Sequence, residues 1–158
     1  MLAGRADRAI RLFAAAPAQS MPLLRTRLQP VAPPNAKRIQ QLVANLDNKQ
    51  FAVRDRAMKE LSQLGELAGT ALRQALERGP DLEFRRRIET LLARSTETTV
   101  PAPEKLRALR AVEVLEGLGT DEARGMLETL AGGAPESHLT REAAATLRRL
   151  AHRAEPMP

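Results

Sequence analysis

Apolar residues in the stretch Phe51–Glu77 follow the spacing of two consecutive α-helices. Intervals of 4, 4 and 3 residues place four of them on one helix face, since an α-helix turns once every ~3.6 residues. Gly65 follows that run and can end the helix in a left-handed conformation without a Cβ penalty. A second helical run begins directly afterwards, and Asp47 has a side chain suited to capping the first. The stretch therefore predicts a helical hairpin. Its apolar positions are Val53, Ala57, Leu61 and Leu64, then Leu67, Ala68, Ala71, Leu72, Ala75 and Leu76.

The same helical spacing recurs before and after this hairpin. Two proline-bearing stretches interrupt the series: Gln29–Pro34 predicts a stiff connector, and Ser95–Pro103 predicts a mobile loop or a hinge. The other predicted helices cover Leu2–Ala15, an N-cap at Ser20 to Leu28, Asn35–Leu46, Asp81–Arg94, Pro103–Leu118, Thr120–Ala131 and Leu139–Leu150.

Three later helices repeat the apolar pattern of the hairpin's first helix, at offsets of 31, 54 and 86 residues. Self-similarity of paired helices at a period near 30 residues is typical of α-solenoids. We therefore predict an all-α fold, a short α-solenoid of about nine helices in antiparallel hairpins. It would form one domain over residues 1–153, with a hinge at 95–103 and a frayed tail at 154–158. The matching positions are Phe84, Ile88 and Leu92, then Ala111, Leu115 and Leu118, then Leu139, Ala143, Leu147 and Leu150.

The strings VRDRAMKELSQLGELAGTALRQAL and LRALRAVEVLEGLGTDEARGMLETLA resemble HEAT repeats, particularly the short type of the phycobilin-lyase-like subgroup. The stretch from about Leu2 to Leu150 more specifically resembles the helical tail that follows a WD-repeat β-propeller in some large bacterial proteins. That resemblance implies a chain that is such a tail, the product of a split gene or a stand-alone relative. Its motif residues are structural, so it implies a fold and an association with a propeller rather than a reaction.

The hydrophobic residues are mostly alanine and leucine, with 27 Ala and 24 Leu against three Phe and no Trp or Tyr. Both are strong helix formers, which favours an all-α domain. The chain has no Cys, which excludes disulfides, thiolate metal sites and a cysteine nucleophile. This composition fits a reducing compartment, and we expect a cytoplasmic protein.

The net charge of +6 is concentrated in the first fifty residues, where eight Lys or Arg stand against two Asp. Three arginines there recur at a spacing that suits a helix lying on an acidic partner. A second basic cluster lies near the middle of the chain. It is interpreted either as a solvated helix face paired with nearby glutamates or as a patch that binds phosphate or acidic groups. The candidate partner-binding residues are Arg5, Arg8, Arg11, Arg54, Arg56, Arg85, Arg86 and Arg87.

Motifs for catalysis are missing from the sequence. His138 and His152 are the only histidines, and they form no metal-ligand spacing such as Glu-x-x-His. There is no Gly-x-Ser-x-Gly turn and no phosphate-binding glycine loop. We therefore predict no metal, no cofactor, no small-molecule substrate and no enzymatic activity. No apolar run approaches the ~20 residues that a membrane-spanning helix needs.

Three functional hypotheses remain. The first is a non-catalytic protein-protein interaction or scaffold module, as the tail or companion of a WD-repeat propeller protein. The alternative is a helical repeat module that binds a nucleic-acid backbone through its arginines, although the lack of Trp and Tyr removes the platforms on which bases stack. The third, an enzyme, would require a pocket with converging polar groups.

Overall fold

The computed structural model describes residues 10, 12, 13, 15–96 and 103–154. Within these residues the regular structure is helical and contains no β-strand, so the predicted all-α class is confirmed. Most of the predicted helix Leu2–Ala15 lies outside the described residues, as do residues 155–158 of the predicted tail. The helices are α1 Pro17–Arg27, α2 Ala36–Asn45, α3 Phe51–Leu64, a 3-10 helix Gly65–Ala68, α4 Gly69–Glu77, α5 Leu82–Thr96, α6 Pro103–Leu118, α7 Asp121–Ala131 and α8 His138–Ala154.

Several helix ends lie where the sequence predicts them. The side chains of Asn35, Asp81 and Thr120 each accept a hydrogen bond from the backbone N–H three residues later, at 3.2, 2.8 and 3.2 Å. Such bonds satisfy donors that the first helical turn leaves without a partner. Gly65 and Gly119 follow α3 and α6 with φ of 53° and 60°, a conformation that favours glycine. These predicted starts and stops are confirmed.

The predicted N-cap at Ser20 is wrong, because α1 already begins at Pro17. Proline at the first helical position sacrifices no hydrogen bond, so the helix can start there. Ser20 lies inside α1, where its hydroxyl donates to the carbonyl oxygens of Phe13 and Ala16 at 2.6 and 2.9 Å. The hydroxyl thus ties α1 to the residues before it.

The predicted cap at Asp47 is also wrong. Helix α3 begins at Phe51, and no side chain caps its first turn. Asn48 folds the preceding turn instead, because its side-chain oxygen accepts from the Gln50 N–H at 2.9 Å. Short polar side chains often form such turns with the backbone two residues on.

The chain divides into two compact units. We call residues 33–100 the central unit, and residues 1–32 together with 101–158 the terminal unit. Both division points fall in the proline-bearing stretches Gln29–Pro34 and Ser95–Pro103 that the sequence marks as connectors. The single domain over residues 1–153 stays a prediction. The thirty-two residues of the first segment share a unit with a segment that follows the whole central unit.

The central unit consists of α2 to α5 and the 3-10 helix. Its closely packed pairs are α2 with α3, α4 with α5, α2 with α4, and α3 with α5. The predicted apolar stripes supply this core, since Ala57, Leu61 and Ile88 are fully buried. The buried residues are Ile39, Leu42, Val43, Leu46, Ala57, Leu61, Ala68, Leu72, Ala75, Ile88 and Leu91.

The terminal unit is built on α6, α7 and α8, each of which packs against the other two. Helix α1 packs on α6 as well. Because α6 has neighbours on several sides, it buries Val112 and Val114 in addition to the predicted Leu115. The predicted Ala111 and Leu118 are only partly buried. The buried core residues are Met21, Leu24, Leu28, Val112, Val114, Leu115, Ala123, Leu127, Leu130, Ala143 and Leu150.

A backbone contact fastens the first segment of the terminal unit to the turn before α8. The N–H of Ala134 donates to the carbonyl oxygen of Val31 at 2.7 Å. Gly133 makes this approach possible, since a Cβ there would lie 3.0 Å from the Val31 oxygen and 2.6 Å from the Thr140 hydroxyl oxygen. Real side chains almost never approach other atoms so closely, so the turn requires glycine.

Candidate functional site

Of the eight candidate partner-binding arginines, five lie among the described residues. Arg5, Arg8 and Arg11 lie outside them. The other five belong to α3 and α5 of the central unit.

Arg54 closes the turn in front of α3. Its guanidinium donates to the carbonyl oxygens of Asn48 and Lys49 at 2.7 and 2.9 Å and lies 5.7 Å from the centre of the Phe51 ring. Arg56, on the same helix, pairs with Glu60 at 2.9 Å. Both arginines therefore have local structural partners.

Arg85, Arg86 and Arg87 are placed differently although they are consecutive. Arg87 is one-quarter exposed and donates to the carbonyl oxygen of Leu46 at 3.1 Å. This bond gives a partner to a backbone acceptor at the C-terminal end of α2. Arg86 and Arg87 both face Glu83, at 3.6 and 3.5 Å. Arg85 is exposed. Successive helical residues point in different directions, so this run does not present three guanidinium groups on one surface.

Two glutamates in the described residues are held by arginine pairs. Arg38 and Arg56 donate to Glu60, and these hydrogen bonds lower the pKa of its carboxyl group. In the terminal unit, Arg149 makes a bidentate contact with Glu116. That contact lowers the pKa of Glu116 and raises the pKa of Arg149.

The Glu116 pair belongs to a larger cluster between α6 and α8. Arg153 also reaches Glu116, at 3.2 Å. Arg149 additionally donates to Glu142 at 3.0 Å and to the Thr146 hydroxyl, which is fully buried, at 2.7 Å. Every charge in the cluster has an opposite charge beside it, which is typical of an ion pair that joins helices.

The described part of the chain provides no metal site, since no three His, Asp or Glu side chains in it are grouped closely enough to hold an ion. His138 and His152 lie at the start and in the last turn of α8. No helix among residues 15–96 and 103–154 has the length and hydropathy needed to cross a bilayer.

An apolar groove in the terminal unit is a feature that the sequence did not predict. We call it the α1–α6 groove: it has a volume of about 670 Å³ and lies between α6 on one side and α1 with the helical residues Ile10 and Phe13 on the other. Phe13 and Leu23 line it with 42% and 56% of their surfaces exposed, although both are large and apolar. The full lining is Ile10, Phe13, Leu23, Leu24, Arg27, Leu28, Glu104, Arg107, Ala108, Arg110, Ala111 and Val114.

One sequence signal does point to this groove. Leu23 and Leu24 are adjacent on α1, so their side chains point about 100° apart and widen the apolar surface of the helix. Leu24 is buried and Leu23 is exposed. What the sequence lacks is any sign that α6, eighty residues later, provides the opposite wall.

Two smaller cavities have linings that are more polar than that of the α1–α6 groove. One, of about 490 Å³, lies between α1 and α7, and Arg25 and Glu122 of its lining pair at 2.8 Å. The other, of about 370 Å³, lies between α2 and α4 and carries Gln40, Gln74 and Arg78. Neither is lined by large exposed apolar side chains such as Phe13 and Leu23 of the α1–α6 groove.

The positive charge is shared equally between the units. The terminal unit has thirteen Lys or Arg against ten Asp or Glu, and the central unit has twelve against nine, so each carries +3. The concentration of charge in the first fifty residues is therefore a property of the sequence and not of one unit.

Comparison with known proteins adds no relative: the sequence matches no model of a protein family, no curated protein and no solved structure.

Proposed function

We propose that this chain is a non-catalytic protein-protein interaction module, a cytoplasmic scaffold that serves as the tail or companion of a WD-repeat propeller protein. The α1–α6 groove is the observation that carries the proposal. Phe13 and Leu23 are exposed along one concave surface rather than scattered singly. Exposed apolar surface in a groove with a polar rim is typical of sites that bind another protein.

We propose further that the helices are HEAT-like hairpins. The packing of the central unit supports this, because α2 with α3 and α4 with α5 form pairs, while α2 also packs on α4 and α3 on α5. Stacked hairpins have these neighbours. Helix α1 is an addition to such an arrangement, since it packs on α6, which is not its neighbour in sequence. The offset of 31 residues between α3 and α5 fits one hairpin per repeat.

Binding to a nucleic-acid backbone is the second candidate, supported by the net charge of +6 and by the exposure of Arg85 and Arg86. It has weaker support, because Arg54 and Arg87 donate to backbone carbonyl groups of their own unit. A phosphate would compete with those bonds.

The experiment compares protein and nucleic-acid binding by the full chain. The tagged protein is used to capture partners from cells that carry its gene, with and without nuclease treatment. We expect a protein that survives nuclease treatment and forms a complex of fixed stoichiometry with the purified chain, measured by light scattering. Capture of nucleic acid alone, or of nothing, would contradict the proposal.

A duplex DNA binding assay tests the second candidate function, binding to a nucleic-acid backbone. The affinity for DNA, measured by fluorescence anisotropy, should fall steeply with salt if arginines contact phosphates. The Arg85→Glu/Arg86→Glu variant should then bind more weakly than the matched Arg141→Glu/Arg148→Glu variant. No affinity at low salt, or equal losses in both variants, removes this candidate.

A further inference from the structure

We propose that the α1–α6 groove binds an acidic amphipathic helix of a partner protein, with the partner's apolar side chains on the groove floor and its carboxylates on the arginines of the rim. This inference rests on the proposed interaction function and specifies both the surface and the chemistry of the partner.

The shape of the groove suits large apolar side chains from a partner. Ala108 and Ala111 of α6 are small, and they lie opposite the leucines of α1. Small side chains on one wall leave the volume of about 670 Å³ open. Val114 is buried and closes the floor. A partner that inserts leucine or phenylalanine here removes apolar surface from water on both sides.

The length of the groove suits about three turns of helix. Its α6 wall runs from Glu104 to Val114, ten residue steps that cover about 15 Å at 1.5 Å per residue. Helices that bind in grooves use anchors near positions i, i+3 or i+4, and i+7, which span a similar length. The opposite wall includes Phe13 and Leu23, whose exposed surfaces can contact such anchors.

The rim of the groove carries an excess of positive charge. It has three arginines, Arg27, Arg107 and Arg110, and one acid, Glu104. Among the described residues, neither Arg27 nor Arg110 has a carboxylate within 4 Å. Arg107 contacts Glu104 only at 3.8 Å, with both side chains about three-quarters exposed, so that pair is weak. These guanidinium groups can bind carboxylates of a partner.

The charge also argues against other occupants. A second copy of this chain carries +6 and would bring a like-charged rim against this one. A nucleic acid would use the arginines but leave Phe13 and Leu23 exposed to water. A membrane surface is flat, whereas the groove is concave and its floor is closed by the buried Val114. An acidic helix with one apolar face satisfies both the floor and the rim.

The test uses a synthetic helical peptide of about sixteen residues, with leucines at i, i+4, i+7 and i+11, glutamates beside them and one tryptophan in the apolar stripe. The chain has no Trp or Tyr, so tryptophan fluorescence reports on the peptide alone. We expect a blue shift and saturable 1:1 binding at about 1–100 µM. A control peptide with lysine for glutamate should bind at least about tenfold more weakly. Equal binding of the two peptides, or no saturation by the acidic peptide, would overturn the inference.

Variants of the full chain locate the binding surface. Leu23→Asp and Arg107→Glu/Arg110→Glu should each weaken acidic-peptide binding at least about tenfold. The matched controls are Leu82→Asp, at a leucine of similar exposure in the central unit (62% against 56% for Leu23), and Arg141→Glu/Arg148→Glu. Circular dichroism checks that each variant remains folded. If the groove variants and the control variants lost peptide affinity equally, the binding would depend on net charge alone, and the groove would be excluded as the binding site.

The outcomes also separate this inference from the proposed function. A natural protein partner whose binding is unchanged by Leu23→Asp would refute the groove and leave the interaction function standing. If the wild-type chain binds the acidic peptide but no natural protein, the proposed interaction function is contradicted, whereas the ability of the groove to bind an acidic helix is confirmed. Binding to phosphatidylglycerol vesicles that the groove variants abolish, without peptide binding, would assign the surface to membranes and overturn the inference.

Discussion

The central and terminal units differ in how their cores are assembled from the sequence. The central unit is one continuous segment whose helices pack on others of the same segment. The terminal unit combines residues 1–32 with residues 101–158, so α1 packs on α6 across the intervening central unit of the sequence. Periodic apolar patterns therefore specify helices and their buried faces, whereas the choice between near and distant packing partners requires information that no local pattern contains.

The two units also use their arginines differently. In the central unit, Arg54 donates to carbonyl oxygens of the turn before α3, and Arg87 donates to the Leu46 carbonyl oxygen at the end of α2. In the terminal unit, Arg27 and Arg110 lie on the rim of the α1–α6 groove, without a carboxylate within 4 Å among the described residues. The most conspicuous arginine run in the sequence is therefore partly structural, and the arginines that line an apolar groove are isolated ones.

Removal of a core side chain from the central unit should lower the free energy of unfolding more than any other change considered below. Ile88→Ala removes a fully buried side chain and should lower the free energy of unfolding by about 2–5 kcal/mol. Leu82→Ala is the control, since Leu82 is 62% exposed and should change it by less than about 0.5 kcal/mol. Urea unfolding followed by circular dichroism measures both.

Hydrogen exchange in Ile88→Ala then tests the division into units. We expect amide exchange to accelerate in α2–α5 much more than in α7 and α8, because the side chain contributes to the central-unit core only. Equal acceleration throughout would show that the two units unfold together and would contradict the view that their cores are independent.

A smaller effect is expected where the first segment of the terminal unit meets the turn before α8. Gly133→Ala would place a Cβ 2.6 Å from the Thr140 hydroxyl oxygen and 3.0 Å from the Val31 carbonyl oxygen. Relieving this overlap should cost about 1–3 kcal/mol of unfolding free energy. Gly125→Ala is the matched control: its Cβ meets nothing within 4 Å inside α7, so it should stabilise by about 0.5–1 kcal/mol. Thermal unfolding would contradict the contact if both variants were stabilised.

The smallest effect concerns Glu116 and its pH dependence. Its folded pKa is lowered, chiefly by the hydrogen bonds from Arg149, so the ionised form stabilises the fold. This contribution is complete above the ordinary pKa of 4.5 and disappears as pH falls through the lower folded pKa. Glu116→Gln should cost about 1 kcal/mol at pH 7, because Arg149 and Arg153 are partly exposed.

The measurement compares urea unfolding of Glu116→Gln and the wild type at several pH values. Their difference in unfolding free energy should shrink below pH 4.5 and vanish in acid. Glu113→Gln, on the exposed side of the same helix, is the control and should show no such difference. A difference that stays constant in acid would mean that ionisation of Glu116 is irrelevant to stability.

The sequence predicts most of the helices, because apolar spacing, caps and glycine stops act locally. Asn35, Asp81 and Thr120 cap helices as predicted, whereas Ser20 does not, since Pro17 provides an earlier start. The α1–α6 groove could not be predicted from spacing. It depends on which surface of α6 faces α1, and nothing between residues 28 and 103 of the sequence specifies that pairing.

The hydrogen bond from Ala134 to Val31 has a consequence for synthesis of the protein. These residues are 103 positions apart (134 − 31), so at 5–20 residues per second the ribosome adds the second roughly 5 to 20 s after the first. During that interval the ribosome synthesises all of α2–α5, whose core contains no residue of the terminal unit. The terminal-unit core buries Met21, Leu24 and Leu28 together with residues of α6 and α7. Until those helices have been synthesised, the three side chains lack these native partners and are accessible to chaperones.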